Sequence, residues 1–280
     1  MRLQQSVFET VENFCQNYDQ FILASDLDGT LAPFVVDRLS ARPYRGVKRR
    51  LQALCRHPSA VIPVIVSGRP ALQARQVLDL HAAVEVWGAH GAERLLAHRQ
   101  KPYRYPLPGN AETVLKNCQA AAMHWLDCHG LASLDLCEAD KYGCLAVHWR
   151  RLDCGKQRKQ VRMGVSNVWR PLVQSPYVTV KAFDGGLEVR TYSKDFVIRS
   201  LGMERRLPIV YLGDDVTDED AFQEINKRGG LSILVRQQQK SSQAQWWITP
   251  PDELLKFFDV VLGVLEAKAK GASYESCSCV

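Results

Sequence analysis

Residues 21–34 read "FILASDLDGTLAPF", a short apolar run that ends on two aspartates placed one residue apart. A continuous apolar run of this length is typical of a strand buried on both faces, so we expect a parallel sheet. Side chains at positions i and i+2 of a strand point the same way, so Asp26 and Asp28 would converge if the strand continued. Gly29 indicates that the chain turns there, which leaves a simple Asp-Gly turn as the alternative.

The alternation of strand and helix continues after this stretch and returns near the C-terminus. Residues 42–57, 60–69, 70–80 and 83–93 have the patterns of helix, strand, helix and strand, and residues 207–236 repeat strand, helix and strand. A final amphipathic helix is predicted near residues 252–268. Such alternation predicts an α/β fold with a doubly wound, Rossmann-like parallel sheet and helices on both faces.

The middle of the chain has a different pattern. A long helix that stops at Gly130 precedes a hairpin that turns at Tyr142 and Gly143, and a second helix precedes a second hairpin that turns at residues 184–186. We therefore predict a core built from residues 1–105 and 192–280, with an inserted α+β cap domain at residues 106–191.

Composition limits the function classes. The chain has 280 residues, 46% of them hydrophobic, and a net charge of +6 spread along the sequence, which gives no case for nucleic acid. No apolar run is long enough for a membrane span, and the N-terminus does not resemble a signal peptide. Nine cysteines without a CxxC pair indicate reduced thiols. We expect a cytoplasmic protein with no membrane partner; its oligomeric state is open, a monomer included.

Polar residues follow three of the predicted strands at the edge where open α/β sheets bind ligands. They are Asp26 and Asp28, then Ser67, Gly68 and Arg69, and finally Asp214 and Asp215. Clustered carboxylates offer hard oxygen ligands, which suit Mg²⁺ better than a soft metal. Gly29 and Thr30 are expected to begin an anion-binding turn.

A cation, oriented donors and a free carboxylate suit phosphoryl transfer, in which positioning and charge neutralisation supply most of the catalysis. One aspartate could attack phosphorus covalently, while the second protonates the leaving alkoxide and then activates water. The residues themselves therefore favour a phosphatase that acts on a small anionic ligand.

Four motifs, "DLDGT", "VIVSGR", the lysine of "YSKDF" and "GDDVTDED", resemble in type and order those of the haloacid dehalogenase superfamily of aspartyl-phosphate phosphatases. The insert resembles the large α/β cap of its sugar-phosphate branch. Within that branch, "GAHGAE", "KYGCLAVHWR", "GGLEVR" and "GDDVTDEDAF" resemble the trehalose-6-phosphate phosphatases. The resemblance implies Mg²⁺-dependent hydrolysis of trehalose 6-phosphate, a step of trehalose biosynthesis, through an aspartyl phosphate. The alternatives are a mannosyl-3-phosphoglycerate or sucrose phosphate phosphatase, or a catalytically silent phosphosugar sensor.

The resemblance also implies roles for individual residues. Asp26 would be the nucleophile, Asp28 the general acid and base, and Ser67 a group that holds the transferring phosphoryl. Lys194 would lie against the nucleophile, although this chain has Asp195 where the family more often has Gly.

A magnesium site is implied at the same place. Asp214 would complete the Mg²⁺ shell together with Asp26 and the backbone carbonyl of Asp28. Asp215 or Asp218 would tune the site without touching the ion.

The cap would select the sugar through Lys141 and Glu188. The family typically has another Glu two residues before that lysine, where this chain has Ala139, so either neighbour, Glu138 or Asp140, could substitute or one hydroxyl could be contacted differently. Three further residues are expected at the rim of the substrate site: Gly68, Arg69 and His90. The glycines that flank His90 leave a purely structural role equally open.

Overall fold

The computed structural model describes residues 6–35, 40–80, 84–149, 151–183 and 185–277. Within these ranges the strands are β1 (Phe21–Ser25), β2 (Val61–Val66), β3 (Glu85–Gly88), β4 (Glu93–Leu95), β5 (Tyr103–Arg104), β6 (Cys137–Glu138), β7 (Cys144–His148), β8 (Thr179–Phe183), β9 (Gly186–Arg190), β10 (Ile209–Gly213), β11 (Leu231–Val235) and β12 (Trp246–Ile248). The helices are α1 (Val7–Asn17), α2 (Val47–Leu54), α3 (Ala71–Leu78), α4 (Ala111–Cys128), α5 (Gly155–Trp169), α6 (Lys194–Arg205), α7 (Glu219–Lys227) and α8 (Asp252–Cys277). Across the described residues, no helix combines the length and apolar character that a membrane crossing requires.

The central sheet has the strand order β12-β11-β10-β1-β2-β3-β4-β5. Neighbours from β12 to β3 are parallel, whereas β4 and β5 add on antiparallel. The predicted α/β fold class is confirmed by this sheet and by its solved structural relatives described below. The antiparallel edge was not predicted, because β4 and β5 are only three and two residues long and carry little periodicity.

Helices cover both faces of the central sheet. On one face, Phe21 and Leu23 of β1 belong to a core shared with α1, α2, α3 and α8. On the other face, Ile22 and Ala24 belong to a core shared with α6 and α7. Because alternate side chains of a strand point to opposite faces, this double cover explains why all five residues of β1 are buried.

The insert forms a separate four-stranded sheet in the order β6-β7-β9-β8, and all its pairs are antiparallel. Helices α4 and α5 pack on one face, where they share a core with Leu187 and Val189 of β9. The alternate residues of β9, Gly186, Glu188 and Arg190, therefore face the other way. The helix and hairpin order is the one predicted, while the limits 106–191 stay a prediction and residue 184 of the second turn lies outside the described residues.

Candidate active site

A cleft lies between the carboxyl ends of the central strands and the helix-free face of the insert's sheet. Its lining residues are Asp26, Asp28, Phe34, Val35, Gly68, Arg69, His90, Glu138, Lys141, His148, Phe183, Glu188, Lys194, Asp214, Asp215 and Thr217. Counted out to its mouth, with the open solvent there included, the space of the cleft is about 730 Å³. All the predicted site residues except Ser67 line this cleft.

A buried lysine links two carboxylates at its floor. Lys194 Nζ lies 2.9 Å from Asp26 Oδ1 and 2.6 Å from Asp218 Oδ1. Burial raises the pKa of Asp26 to about 7 although the Lys194 ammonium opposes it, and the nearby Asp218 and Asp28 carboxylates add to the rise. Burial would lower the pKa of Lys194, but its two carboxylate partners outweigh burial and raise it. Lys194 is thus a fixed cation beside Asp26.

Asp195, the residue after Lys194, has partners of its own. Lys194 is the first residue of α6, and the Asp195 carboxylate binds Ser193 and Arg199 instead. The departure from the family pattern at Asp195 therefore leaves the placement of Lys194 unchanged.

Asp28 has a different partner from Asp26. The Arg69 guanidinium donates two hydrogen bonds to its carboxylate, Nε to Oδ2 and Nη2 to Oδ1, both of 2.6 Å. Arg69 is buried, with 3% of its side chain exposed, while 27% of the Asp28 side chain remains exposed. The two aspartates share one cleft, but strand β1 ends at Ser25, so each faces its own cation rather than the other aspartate.

In the expected anion-binding turn after Asp28, three of the backbone amides donate within the turn itself. Gly29 has φ +92°, and its amide donates to the Ala32 carbonyl at 2.7 Å. The amides of Leu31 and Ala32 both donate to the Leu27 carbonyl. The tight left-handed turn folds these donors back onto its own carbonyls, so they do not face the cleft.

Ser67 lies at the end of β2 but does not line the cleft. It is fully buried, and its hydroxyl accepts a hydrogen bond of 3.1 Å from the Arg69 amide. The same short loop places Gly68 and Arg69 on the cleft wall.

Two carboxylates are suited to a cation. Oxygen atoms of Asp26, Asp214 and Asp218 lie within 4.8 Å of one another, and all three residues are buried. The Asp218 carboxylate already accepts from Lys194, from the Tyr211 hydroxyl at 2.6 Å and from two backbone amides. Asp26 and Asp214 therefore remain as ligands, with Asp218 placed to orient the loop and the lysine.

The charge balance of this group fits a hard divalent ion. Three buried carboxylates face one ammonium, and burial together with the carboxylates of Asp26 and Asp218 raises the pKa of Asp214 well above its usual range. A Cβ at Gly29 would overlap the Asp214 carboxylate, so the turn needs glycine here to admit that side chain. The all-oxygen donor set suits Mg²⁺.

A second group of potential ligands, His90, Cys144 and Glu188, does not fit a cation. Lys141 Nζ lies 3.9 Å from Glu188, and Arg190 Nη1 lies 3.4 Å from it. Two positive side chains thus already compensate this carboxylate.

His90 instead joins the core to the insert. Its Nε2 lies 3.0 Å from Glu188 Oε2, and Arg190 Nη1 lies 3.2 Å from its Nδ1. Since the guanidinium can only donate, Nδ1 accepts and the neutral ring donates from Nε2. Burial lowers the pKa of His90 to about 4, against the pull of the Glu188 carboxylate. Although burial opposes it, His90, Lys141 and Arg190 hold the pKa of Glu188 below its usual range.

We expect this neutral histidine to make the protein sensitive to acid. The unfolded chain binds a proton at His90 near pH 6.5, whereas the folded protein binds it near pH 4. Stability should therefore fall by at most about 3 kcal/mol as the pH drops through that window. The measurement is urea unfolding of the wild type and His90→Asn from pH 7 to pH 4, since Asn tolerates the left-handed φ of 56°.

His98→Asn is the matched control, because His98 has a similar φ of 61° but is exposed. The wild type should lose more stability than His90→Asn between pH 6.5 and 4.5, and His98→Asn should follow the wild type. Equal slopes for the wild type and His90→Asn would contradict the assignment. Glu188 adds its own loss only below its ordinary value of 4.5, outside the diagnostic window.

The open question at Ala139 has a structural answer. Glu138 lines the cleft, with Oε2 3.4 Å from Lys141 Nζ and Oε1 3.4 Å from His148 Nε2. Ala139 and Asp140 line a separate cavity on the other side of Lys141. Of the two neighbours of Ala139, Glu138 is therefore the one whose residue lines the cleft.

Three residues at the contact of core and insert escaped the sequence reasoning. His148 lies on the cleft wall, opposite Gly186 in the strand register. Arg190 and Lys181 both pair with Asp220 of α7, at 3.4 and 3.1 Å. Because alternate residues of a strand share a face, Arg190 could have been predicted from Glu188, two residues earlier. The positions of His148 and Lys181 beside β9 depend on the strand register, which one sequence does not specify.

The comparisons with known proteins agree with this geometry. The family model described as trehalose-phosphatase matches residues 136–250. Trehalose-phosphate phosphatase B of Arabidopsis thaliana is 28% identical over 91% of this chain and 69% of its own length. The trehalose-6-phosphate phosphatase C-terminal domain of Candida albicans has a TM-score of 0.76 at 20% identity, covering 92% of this chain and 97% of that one.

A regulatory protein has a related fold. The C-terminal domain of the Candida albicans trehalose synthase regulatory protein has a TM-score of 0.70 at 11% identity, covering 92% of this chain and 99% of that one. At such identities structural likeness shows the fold alone. The family resemblance predicted from the motifs is confirmed by the family model and the sequence relatives together.

Proposed function

We propose that this homologue of the trehalose-phosphate phosphatases removes the phosphate from trehalose 6-phosphate in a Mg²⁺-dependent reaction. Its similarity to named phosphatases over most of its length makes it a phosphoric monoester hydrolase, as predicted. One observation carries the proposal: a buried lysine, two carboxylates suited to a cation and an Arg-paired aspartate line the same cleft as the sugar-facing residues of the insert.

The proposed chemistry has two steps. An Asp26 carboxylate oxygen attacks phosphorus, forming an aspartyl phosphate as the bond from phosphorus to the sugar oxygen breaks. A proton from Asp28 passes to the leaving alkoxide. Asp28 then takes a proton from water, which attacks phosphorus and releases phosphate and free Asp26.

Arg69 controls the role of Asp28 in this scheme. While its guanidinium donates two short hydrogen bonds to the Asp28 carboxylate, both oxygens of that carboxylate are engaged and do not reach the leaving group. A phosphate dianion in the cleft offers the guanidinium a competing bidentate partner. We infer that substrate draws Arg69 toward the phosphate and frees Asp28 to carry the proton.

Asp26, Asp214 and the backbone carbonyl of Asp28 would hold the Mg²⁺, which when bound would neutralise charge on the phosphoryl oxygens. Lys194 balances the charge of the nucleophile through its ion pair with Asp26. Asp218 keeps that lysine and the Asp214 loop in place through its own hydrogen bonds.

The metal dependence separates an enzyme from a silent phosphosugar sensor. We expect phosphate release from trehalose 6-phosphate and from nitrophenyl phosphate to stop in excess chelator and to return with Mg²⁺, because Lys194 alone does not balance the carboxylates. The assay is the initial rate of phosphate or nitrophenol release. Undiminished rates in chelator would remove the metal from the proposal, and binding of trehalose 6-phosphate without turnover in Mg²⁺ would support a sensor.

The sugar hydroxyls are assigned to the insert, and Glu138 provides the sharpest test. Glu138→Ala should lower kcat/KM for trehalose 6-phosphate by about 10- to 100-fold and leave nitrophenyl phosphate hydrolysis unchanged, because Glu138 faces the sugar and not the phosphorus. The neighbouring Asp140→Ala is the matched control, since its side chain lines the other cavity. Equal losses in the two variants, or a loss on both substrates, would contradict the assignment.

A further inference from the structure

The cleft has an apolar rim that phosphate chemistry does not use. Phe34 and Val35 contribute from the core, and Phe183 contributes from the end of β8 in the insert. Phe34 is 47% exposed, although large apolar side chains favour burial. Two aromatic side chains from opposite walls thus border one cleft whose other residues are mainly polar.

The position of Phe183 is built into the strand register. Phe183 of β8 and His148 of β7 both lie opposite Gly186 of β9, so the three occupy one row across the sheet. A Cβ at Gly186 would overlap the Phe183 ring, with Cε1 at 2.6 Å and Cε2 at 2.8 Å. The ring therefore lies across the glycine, and it also lines the cleft. Glycine here provides room for an aromatic platform beside His148.

This row is one step away from the residues that contact the core. Glu188, which meets His90, and Gly186 are two residues apart on β9, or roughly 6–7 Å at the usual rise of a strand. Arg190, a further two residues along, pairs with Asp220 of the core. The Phe183 row is thus separated from the Glu188 row by about the width of one sugar ring.

A pyranose ring has hydroxyls around its edge and an apolar C–H face. Its hydroxyls suit carboxylate, ammonium and imidazole partners, which Glu138, Lys141 and His148 provide, while its C–H face suits an aromatic ring. We propose that Phe183, with Phe34 across the cleft, stacks on the sugar ring that does not carry the phosphate. The site then selects disaccharide phosphates over hexose phosphates, a specificity that rests on the proposed function.

The test compares Phe183→Ala with Phe183→Tyr on trehalose 6-phosphate, glucose 6-phosphate and nitrophenyl phosphate. Phe183→Ala should raise the KM for the disaccharide phosphate about tenfold and leave the other two substrates unchanged, and Phe183→Tyr should retain wild-type values. Gly186→Ala, which displaces the ring without removing it, should behave like Phe183→Ala.

Four outcomes would overturn the stacking role. The first two are wild-type kinetics of Phe183→Ala and full activity of Phe183→Leu, which has no aromatic ring. The other two are a loss of activity in Phe183→Ala on all three substrates, and a wild type that hydrolyses trehalose 6-phosphate no better than glucose 6-phosphate. The proposed function is judged separately, on the wild type. If the wild type rejects trehalose 6-phosphate but prefers another disaccharide phosphate, the proposed substrate is wrong, and the Phe183 variants are then measured on the preferred compound.

Discussion

Asp26→Asn should reduce turnover of trehalose 6-phosphate by at least about 1,000-fold, because the amide fills the same space but does not attack phosphorus. In chelator-treated protein the variant should be at least as stable as the wild type. The folded state holds the Asp26 proton up to about pH 7, against an ordinary value of 3.8, so ionisation of this carboxyl costs stability as the pH rises through that window. The measurements are kcat and urea unfolding at pH 7.5.

Asp28→Asn tests whether Asp28 acts as the general acid, in contrast to Asp26 as the nucleophile. Its defect should be large on the sugar phosphate, whose alkoxide needs a proton, and smaller on nitrophenyl phosphate, whose leaving group does not. Asp26→Asn should be inactive on both. If Asp26→Asn stayed within tenfold of the wild type, the covalent role would be lost, and equal losses of Asp28→Asn on both esters would remove its role as acid.

Lys194→Met should be the most destabilising of the substitutions considered. Lys194 is 1% exposed and forms ion pairs with Asp26 and Asp218, so its removal leaves two buried carboxylates without their cation. We expect a loss of about 3–5 kcal/mol in the free energy of unfolding, with turnover also lost. Urea unfolding in chelator gives the first quantity, and phosphate release in Mg²⁺ gives the second.

Lys181→Met is the control for removing an ion-paired lysine. Lys181 also pairs with an aspartate, Asp220, but 41% of its side chain is exposed. Exposed pairs contribute at most about 1 kcal/mol, so this variant should remain close to the wild type. Similar losses in the two lysine variants would contradict the account of Lys194 as a buried charge partner.

The site residues at the strand ends could be predicted from the sequence, because the topology of a parallel sheet determines where they lie. Asp26, Arg69 and Asp214 each follow a strand of one parallel sheet, and parallel strands bring their carboxyl ends to one edge. Their individual partners could not be predicted. The pairing of Asp28 with Arg69, rather than convergence on Asp26, depends on where β1 ends and how Gly29 turns the chain.

The insert shows a second limit of prediction from one sequence. Its two hairpins were predicted, yet alternation could not separate Glu138 from Asp140, because residues i and i+2 of a strand point the same way. The difference arises because β6 ends at Glu138 and Asp140 lies beyond it. The row of Phe183, Gly186 and His148 joins three strands whose register is set by packing against α4 and α5. Such cross-strand groupings become visible only in three dimensions.

The most direct test of the proposed function is the rate of phosphate release by the wild type in Mg²⁺ across a panel of phosphosugars. The panel contains trehalose 6-phosphate, sucrose phosphate, mannosyl-3-phosphoglycerate and glucose 6-phosphate. We predict that kcat/KM is highest for trehalose 6-phosphate and that chelator abolishes the rate. Equal or faster hydrolysis of another member, or no phosphate release from trehalose 6-phosphate, would contradict the proposal.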